Sequence, residues 1–451
     1  MSCLRLVLLF CCCVQAARAA APTTEFSLEN GMKVIVREDH RASVVVFQVW
    51  YRVGSSFEQD GQTGLSHALE HMMFKRTRNL GSGEFSRRIA ERGGSDNAFT
   101  TADYTVYYHQ WAASNLAESF RLEAERMRNL ELDANEFENE RNVILEERRM
   151  RIEDEPLALA AEAFQAAAWQ TSPYRQPIIG WEADIRQLQL ADLRAWYQRW
   201  YSPSNAILVV VGDVDPAAVR TLAQTHFGPL AASPVAPPAS RPEVPQRGEK
   251  RIALHNPRVT VPTVMIGYKV PVLPGVGKPG PDGTPPVPAQ DIYALDVLSS
   301  ILDAGSSARF SSRLVRGREL AVGAGASYPG LSRLEDLFIL DGTPREGVSL
   351  AQLEAALLEE LEVLKQAPPD ARELERVKTQ MRAARVYERD SMSTQAMLLG
   401  APEALGLSWQ VADSYQQGLD AVTPEAVQQV ARKYFDKGRR TVAWLMPAGQ
   451  R

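Results

Sequence analysis

Leu193 to Val211 reads LRAWYQRWYSPSNAILVVV. An aromatic-rich stretch of helical spacing runs into a Ser-Pro-Ser-Asn turn, and a β-branched strand follows. The same order returns at an offset of 234 (427 less 193), in Val427 to Met446, VQQVARKYFDKGRRTVAWLM. The early parts match as well. Val44–Val53 (VVVFQVWYRV) and Val261–Val270 (VPTVMIGYKV) read as strands of similar length and character. Each leads through a loop into a helix-length pattern. Between the two copies, Ala231 to Arg247 repeats proline, with Ser233–Arg247 reading SPVAPPASRPEVPQR. Such a stretch suits neither a helix interior nor a central strand and behaves as a semi-rigid connector. The economical reading is a duplicated α+β unit: residues 23–230, a Pro-rich linker over 231–249, and residues 250–451. The second copy carries an extra stretch, Pro271–Gln290 (PVLPGVGKPGPDGTPPVPAQ), expected to be an exposed, mobile loop.

The chain has 451 residues, of which 45% are apolar and 23% charged. That is the mix of a soluble globular protein with ample core, and it excludes disorder, collagen-like repeats and a polytopic membrane protein. A net charge of -5 leaves no basic excess for nucleic acid. Leu6–Val14 (LVLLFCCCV) is too short to span a bilayer, and small residues at Ala17 and Ala19 follow it. Residues 1–19 therefore read as a secretory signal peptide, and the protein as exported. All four cysteines (Cys3, Cys11, Cys12, Cys13) lie inside that signal, so the mature chain is expected to hold its fold without disulfides.

The most specific signal is a metal constellation. Two of the six histidines fall in His67-Ala68-Leu69-Glu70-His71, within a segment of helical character. Positions i and i+4 share one helix face, so both imidazoles can converge on one tetrahedral zinc. Glu70 sits near that face, placed to take a proton from water at the metal. A catalytic zinc takes three protein ligands, so a carboxylate from another element is needed. In the helical run around Val143–Arg148, residues Glu140, Val143, Ile144 and Glu147 fall on one face. Two of the four are apolar, so this face is expected to point inward, and a buried carboxylate needs a partner such as a cation. Glu146 lies about 100° around the helix and is the poorer candidate. His40, His109, His226 and His255 have no such context and read as structural or surface residues.

These residues resemble the pitrilysin/insulinase family of zinc metallopeptidases, whose inverted His-x-x-Glu-His motif stands here as His67, Glu70 and His71. The family's third ligand, a Glu about 76 residues past the second His, falls on Glu147. A supporting Glu seven residues earlier falls on Glu140. Gly93–Tyr108 (GGSDNAFTTADYTVYY) is similar to the family's Asn-Ala-x-Thr edge strand. That implies substrate backbone binding along Asn97, Ala98, Phe99 and Thr100. The resemblance spans nearly the whole mature chain. It implies two homologous α+β halves closing like a clam shell, one Zn2+ per chain, and cleavage of short or unfolded peptides with Glu70 as general base. The short bacterial and mitochondrial-processing members, which pair two such chains, are the most similar.

One departure matters. Active members carry an Arg and, seven residues later, a Tyr in the second half. The matching stretch here is Leu314-Val315-Arg316-Gly317-Arg318-Glu319-Leu320-Ala321-Val322, with Val at both positions. The resemblance then implies a zinc-bearing subunit whose homologous partner supplies Arg and Tyr, with a homodimer as the second arrangement. It also implies a Gram-negative periplasm. A non-hydrolytic scaffold, as in respiratory-complex core proteins related to the family, is the rival reading, and a peptide-binding protein that holds without cutting is a further one.

Overall fold

A computed structural model describes residues 22–449 apart from 237, 239–240 and 280–284. The expected signal peptide lies outside the described residues. Eleven strands form two mixed sheets among them. The first sheet holds β1 (Thr23–Ser27), β2 (Lys33–Glu38), β3 (Val44–Tyr51), β4 (Ser95–Thr100), β5 (Thr105–Ala112) and β6 (Ala206–Gly212), in the order β1-β2-β6-β3-β5-β4. The second holds β7 (Lys250–Asn256), β8 (Thr263–Val270), β9 (Ala321–Ser327), β10 (Asp336–Pro344) and β11 (Arg440–Pro447), in the order β7-β11-β8-β10-β9. The duplicated segments quoted above supply equivalent strands. β6 and β11 each lie inside their sheet, parallel to β2 and β7 and antiparallel to β3 and β8. Both halves are thus built on one plan of sheet and flanking helices.

Each half packs its own helices on one face of its sheet. The first buries Val34, Phe47, Leu69, Phe120 and Leu208 together, and the second Ile266, Leu298, Phe338, Leu357 and Val442. The opposite faces are covered reciprocally. Helix 392–404 of the second half lays Ala396 and Leu399 on Ile35, Trp50 and Val209 of the first sheet. Helix 156–168 of the first half lays Ala160 and Phe164 on Met265, Leu337 and Ala443 of the second. Burial on both faces explains why β6 reads as an unbroken apolar run rather than an alternation. The exchange is tight: a Cβ on Gly400 would stand 2.1 Å from the Trp50 ring.

Polar contacts fix the two halves further. Buried Asp103 accepts the Tyr174 hydroxyl, the Ser56 hydroxyl and the Arg333 backbone amide. In the linker, Glu243 accepts the backbone amides of Gln170, Thr171 and Ser172 and pairs with Lys269 at 2.6 Å. The expected exposed loop is only partly so. Pro271–Pro274 is buried because Leu273 enters the second core and the Pro271 carbonyl accepts the Tyr328 hydroxyl, while Gly277–Pro279 is exposed.

Candidate metal centre

The histidine helix, Leu65–Met72, buries Leu65, Ala68, Leu69 and Met72, which turns His67 and His71 toward the facing helix. Its first turn has no side-chain cap of its own. Gly64 precedes it at φ 91°, a conformation that favours glycine, and a Cβ there would meet the Ile179 carbonyl at 2.6 Å. The orphan amides are taken by Glu58, whose two oxygens accept Gly64 N–H and Ser66 N–H at 2.7 Å each. Glu58 is fully buried, and burial pushes its carboxyl up to about 8 against the pull of those donors. Nothing in the sequence pattern singled out Glu58.

The facing helix, Ala134–Arg148, is started by Asp133, which accepts the amides of Asn135 and Glu136. It buries Phe137, Glu140, Ile144 and Arg148. The inward face expected from the sequence needs one correction. Val143 is 50% exposed, because that side of the helix opens onto a cavity rather than onto core. Arg148, next to Glu147, is buried. It is held bidentately by Glu162 and donates to the Gly180 carbonyl, which lies against the start of the histidine helix. The spacing between the two helices is thereby set by buried contacts.

His67, His71 and Glu147 each present a donor atom within 4.8 Å of the others. Glu147 Oε2 stands 3.3 Å from His71 Nε2 and 3.7 Å from His67 Nε2. Ligands about 2.0–2.1 Å from a tetrahedral zinc lie roughly 3.3–3.4 Å apart, so this set matches the ion's demand. Two further observations agree. Glu147 Oε2 is buried and makes no hydrogen bond, its near neighbours being the two Nε2 atoms, an arrangement that a shared cation would satisfy. His71 Nδ1 is engaged by Glu140 at 2.8 Å, which leaves Nε2 free to ligate. Lys75 holds the other oxygen of Glu140 at 2.6 Å. Glu146, by contrast, points to Arg149 in solvent.

The titrating groups differ by surroundings. Burial and the neighbouring His71 lower His67 to about 4, so it is held neutral. Burial also opposes charge on His71, but Glu140 and Glu147 outweigh it and raise that ring to about 9. Glu70, on the same helix, is raised by burial, while the Thr100 hydroxyl donates to its Oε2 at 2.5 Å. Thr100 ends β4, an edge strand of the first sheet, and the other predicted substrate contacts lie on the same strand. Asn97 is exposed there and Ala98 nearly buried, while Phe99 packs toward Tyr104 and Tyr108. All four residues line a cavity of about 1480 Å³ with His67, Glu70, His71 and Glu147. Its remaining wall comes from both halves, Phe164 and Ile178 from one and Met265 and Leu331 from the other.

Known proteins resemble this chain along both halves. The family description "Insulinase (Peptidase family M16)" matches residues 33–182, and "Peptidase M16 inactive domain" matches residues 187–381. The chain is 33% identical to the zinc protease PqqE of Helicobacter pylori over 93% of this chain and 92% of that one. It is 26% identical to the mitochondrial-processing peptidase subunit beta of Lentinula edodes over 92% and 88%. A crystal structure of a protease from Helicobacter pylori superimposes with a TM-score of 0.86 at 31% identity, covering 94% of this chain and 99% of that one. The periplasmic protease PqqL of Escherichia coli shares the fold, with a TM-score of 0.77 at 19% identity over 95% of this chain and 48% of that one. With two matched halves, a full-length relative among zinc proteases and a shared clam-shell fold, the chain belongs to the insulinase (M16) family of peptidases.

Proposed function

We propose that this chain is a zinc-dependent endopeptidase acting on short or unfolded peptides. The observation that carries the reading is the meeting of His67, His71 and Glu147 around a buried carboxylate oxygen that makes no hydrogen bond, with Glu70 on the same helix. Zinc held by those three residues supplies Lewis acidity and lowers the pKa of water to about 7. Glu70 is the general base: burial favours its protonated form once it has accepted a proton, and Thr100 orients it. Glu140 fixes the His71 ring. β4 is paired on one side only, so an extended peptide can add to its edge near Asn97 through main-chain hydrogen bonds, with little dependence on sequence. A cavity walled by both halves favours flexible chains over folded proteins.

The chain works in this proposal as the zinc-bearing member of a pair with a homologous subunit that supplies Arg and Tyr. Val315 packs on the second core and Val322 is 65% exposed, and neither offers a polar group. A subunit of a processing peptidase among the relatives supports the pairing. The amino-terminal residues 1–19 support export to the periplasm, as does the likeness to a periplasmic protease. The test is cleavage of an unfolded-peptide pool by zinc-loaded protein, alone and together with a homologous subunit that carries Arg and Tyr, beside Glu70→Gln in the same pairing. The variant should keep its zinc and lose turnover by at least about 100-fold; full turnover in the variant ends the general-base assignment.

A further inference from the structure

Between the helix that carries Glu147 and helix 156–168, the chain runs through one wide π-helical turn, Arg149–Glu153. Such turns insert a residue into the helical ladder and redirect side chains. The turn is anchored on both sides. Arg149 is held by Glu146 and Asp154, and Arg258 of the second half also pairs with Asp154. Arg148 is spent on Glu162. Arg151 is placed differently. Its side chain is 74% exposed and lines the cavity, and its guanidinium pairs with Glu147 Oε1 at 2.8 Å. Two arginines stand among the described residues lining that cavity, and the other, Arg175, is paired with Asp60 outside the metal centre.

Arg151 therefore has one partner, and that partner is the carboxylate argued above to hold zinc. A dication claims most of the negative charge of Glu147. The exposed ion pair that remains contributes little, because solvent screens it. A guanidinium has five N–H donors in a planar fork that matches a carboxylate, and one such contact leaves most of them free. Val143, Met150 and Ile178 are exposed to the same space, and of the carboxylates that line it Glu146 is held by Arg149, Glu162 by Arg148 and Asp103 by Tyr174 and Arg333, so an anion arriving beside the metal centre meets Arg151 as its arginine partner.

We infer that Arg151 binds a carboxylate of the peptide substrate close to the scissile bond and so gives the site a preference for anionic peptides. The carboxylate comes from an Asp or Glu side chain or from the free end of the peptide. The inference rests on the metallopeptidase reading, and its test is a binding measurement that does not depend on turnover. Zinc-loaded Glu70→Gln protein is titrated into labelled unfolded peptides identical except for Glu, Gln or Lys at positions flanking one site, each made with a free or an amidated end, and anisotropy is read at low salt. Anionic peptides should bind about two- to fivefold tighter than neutral ones. A Glu-over-Gln preference among amidated peptides assigns the side chain; a free-over-amidated preference assigns the terminus. In the same background, Arg151→Gln should abolish the preference, Arg151→Lys keep part of it, and Arg151→Glu turn it toward Lys peptides. Equal affinity for all peptides, or a preference that survives Arg151→Gln, overturns the inference. Preference without cleavage by the wild type, even with a homologous subunit that carries Arg and Tyr, would sink the peptidase reading and leave the anion contact standing. Cleavage without preference would do the reverse. Zinc content measured on each variant separates loss of the metal from loss of the contact.

Discussion

Removing the carboxylate of Glu58 should damage the metal centre from beneath. Glu58→Ala leaves the amides of Gly64 and Ser66 buried with no acceptor, and no side chain of the helix itself can replace it. Each orphaned donor costs about 1–3 kcal/mol, and relaxation or an entering water recovers part of it, so the expected loss is about 3 kcal/mol. Set against a folding stability of roughly 5–15 kcal/mol, that is a large fraction. The loss acts on the first turn of the helix that carries His67, so zinc affinity should fall with it. Urea unfolding of the metal-free chain reads the first effect, and competition with a chelator reads the second. Glu58→Gln keeps one good acceptor and should cost less, about 1–2 kcal/mol. The pH dependence gives an internal check. Folded Glu58 keeps its proton to about pH 8, while an unperturbed glutamate loses it near 4.5. Between those values the folded chain holds more protons than the unfolded one, so this group's contribution to stability falls as pH rises. Glu58→Gln should flatten that slope. A Glu58→Ala protein within 0.5 kcal/mol of wild type, with unchanged zinc affinity, would refute the reasoning.

Other outcomes follow from the same contacts. Glu147→Gln should weaken zinc binding far more than Glu146→Gln, measured by chelator competition; the reverse order would make Glu146 the ligand. Glu140→Gln should weaken it about 10–100-fold, since Glu140 engages His71 Nδ1 and in the proposed centre orients that ring. Glu243 is burdened by burial, but Lys269 and three backbone amides hold its carboxyl down at about 2. Its stabilising contribution is present above pH 4.5 and lost as pH falls toward 2, so acid unfolding of Glu243→Gln should be shallower across that window. Asp103→Ala strips a buried cluster of its common acceptor and should cost about 3–5 kcal/mol in thermal or urea unfolding.

What the sequence disclosed followed from local chemistry. The helix–turn–strand signature of Leu193–Val211 and its repeat placed two matching strands, because β-branched runs after a turn have few other uses. The i, i+4 histidines were legible for the same reason: helical geometry alone puts them side by side. Contacts between distant segments were not legible. Glu58 sits in a loop six residues before Gly64 and gains its meaning only where the chain folds back on the helix start. Val143 fits the inward face by periodicity, yet faces a cavity whose other wall is made more than a hundred residues later in the chain. Thr100 falls within a stretch similar to the family's edge strand, but its hydroxyl is engaged by Glu70, a pairing across two elements that no spacing rule predicts.

The reciprocal covering of the two sheets has a consequence for how the molecule comes apart. Helix 392–404 and helix 156–168 each complete the other half's hydrophobic layer. Neither half, made alone, could hide the outer face of its own sheet. Trp50, Ile207 and Val209 would be bared in one fragment and Met265, Leu337 and Leu445 in the other, and such apolar strand surfaces drive aggregation. The chain should therefore melt in a single step despite its two-part ancestry, and a nick in the linker should leave the fragments bound to each other. Recovering function from separately produced halves would require refolding them together.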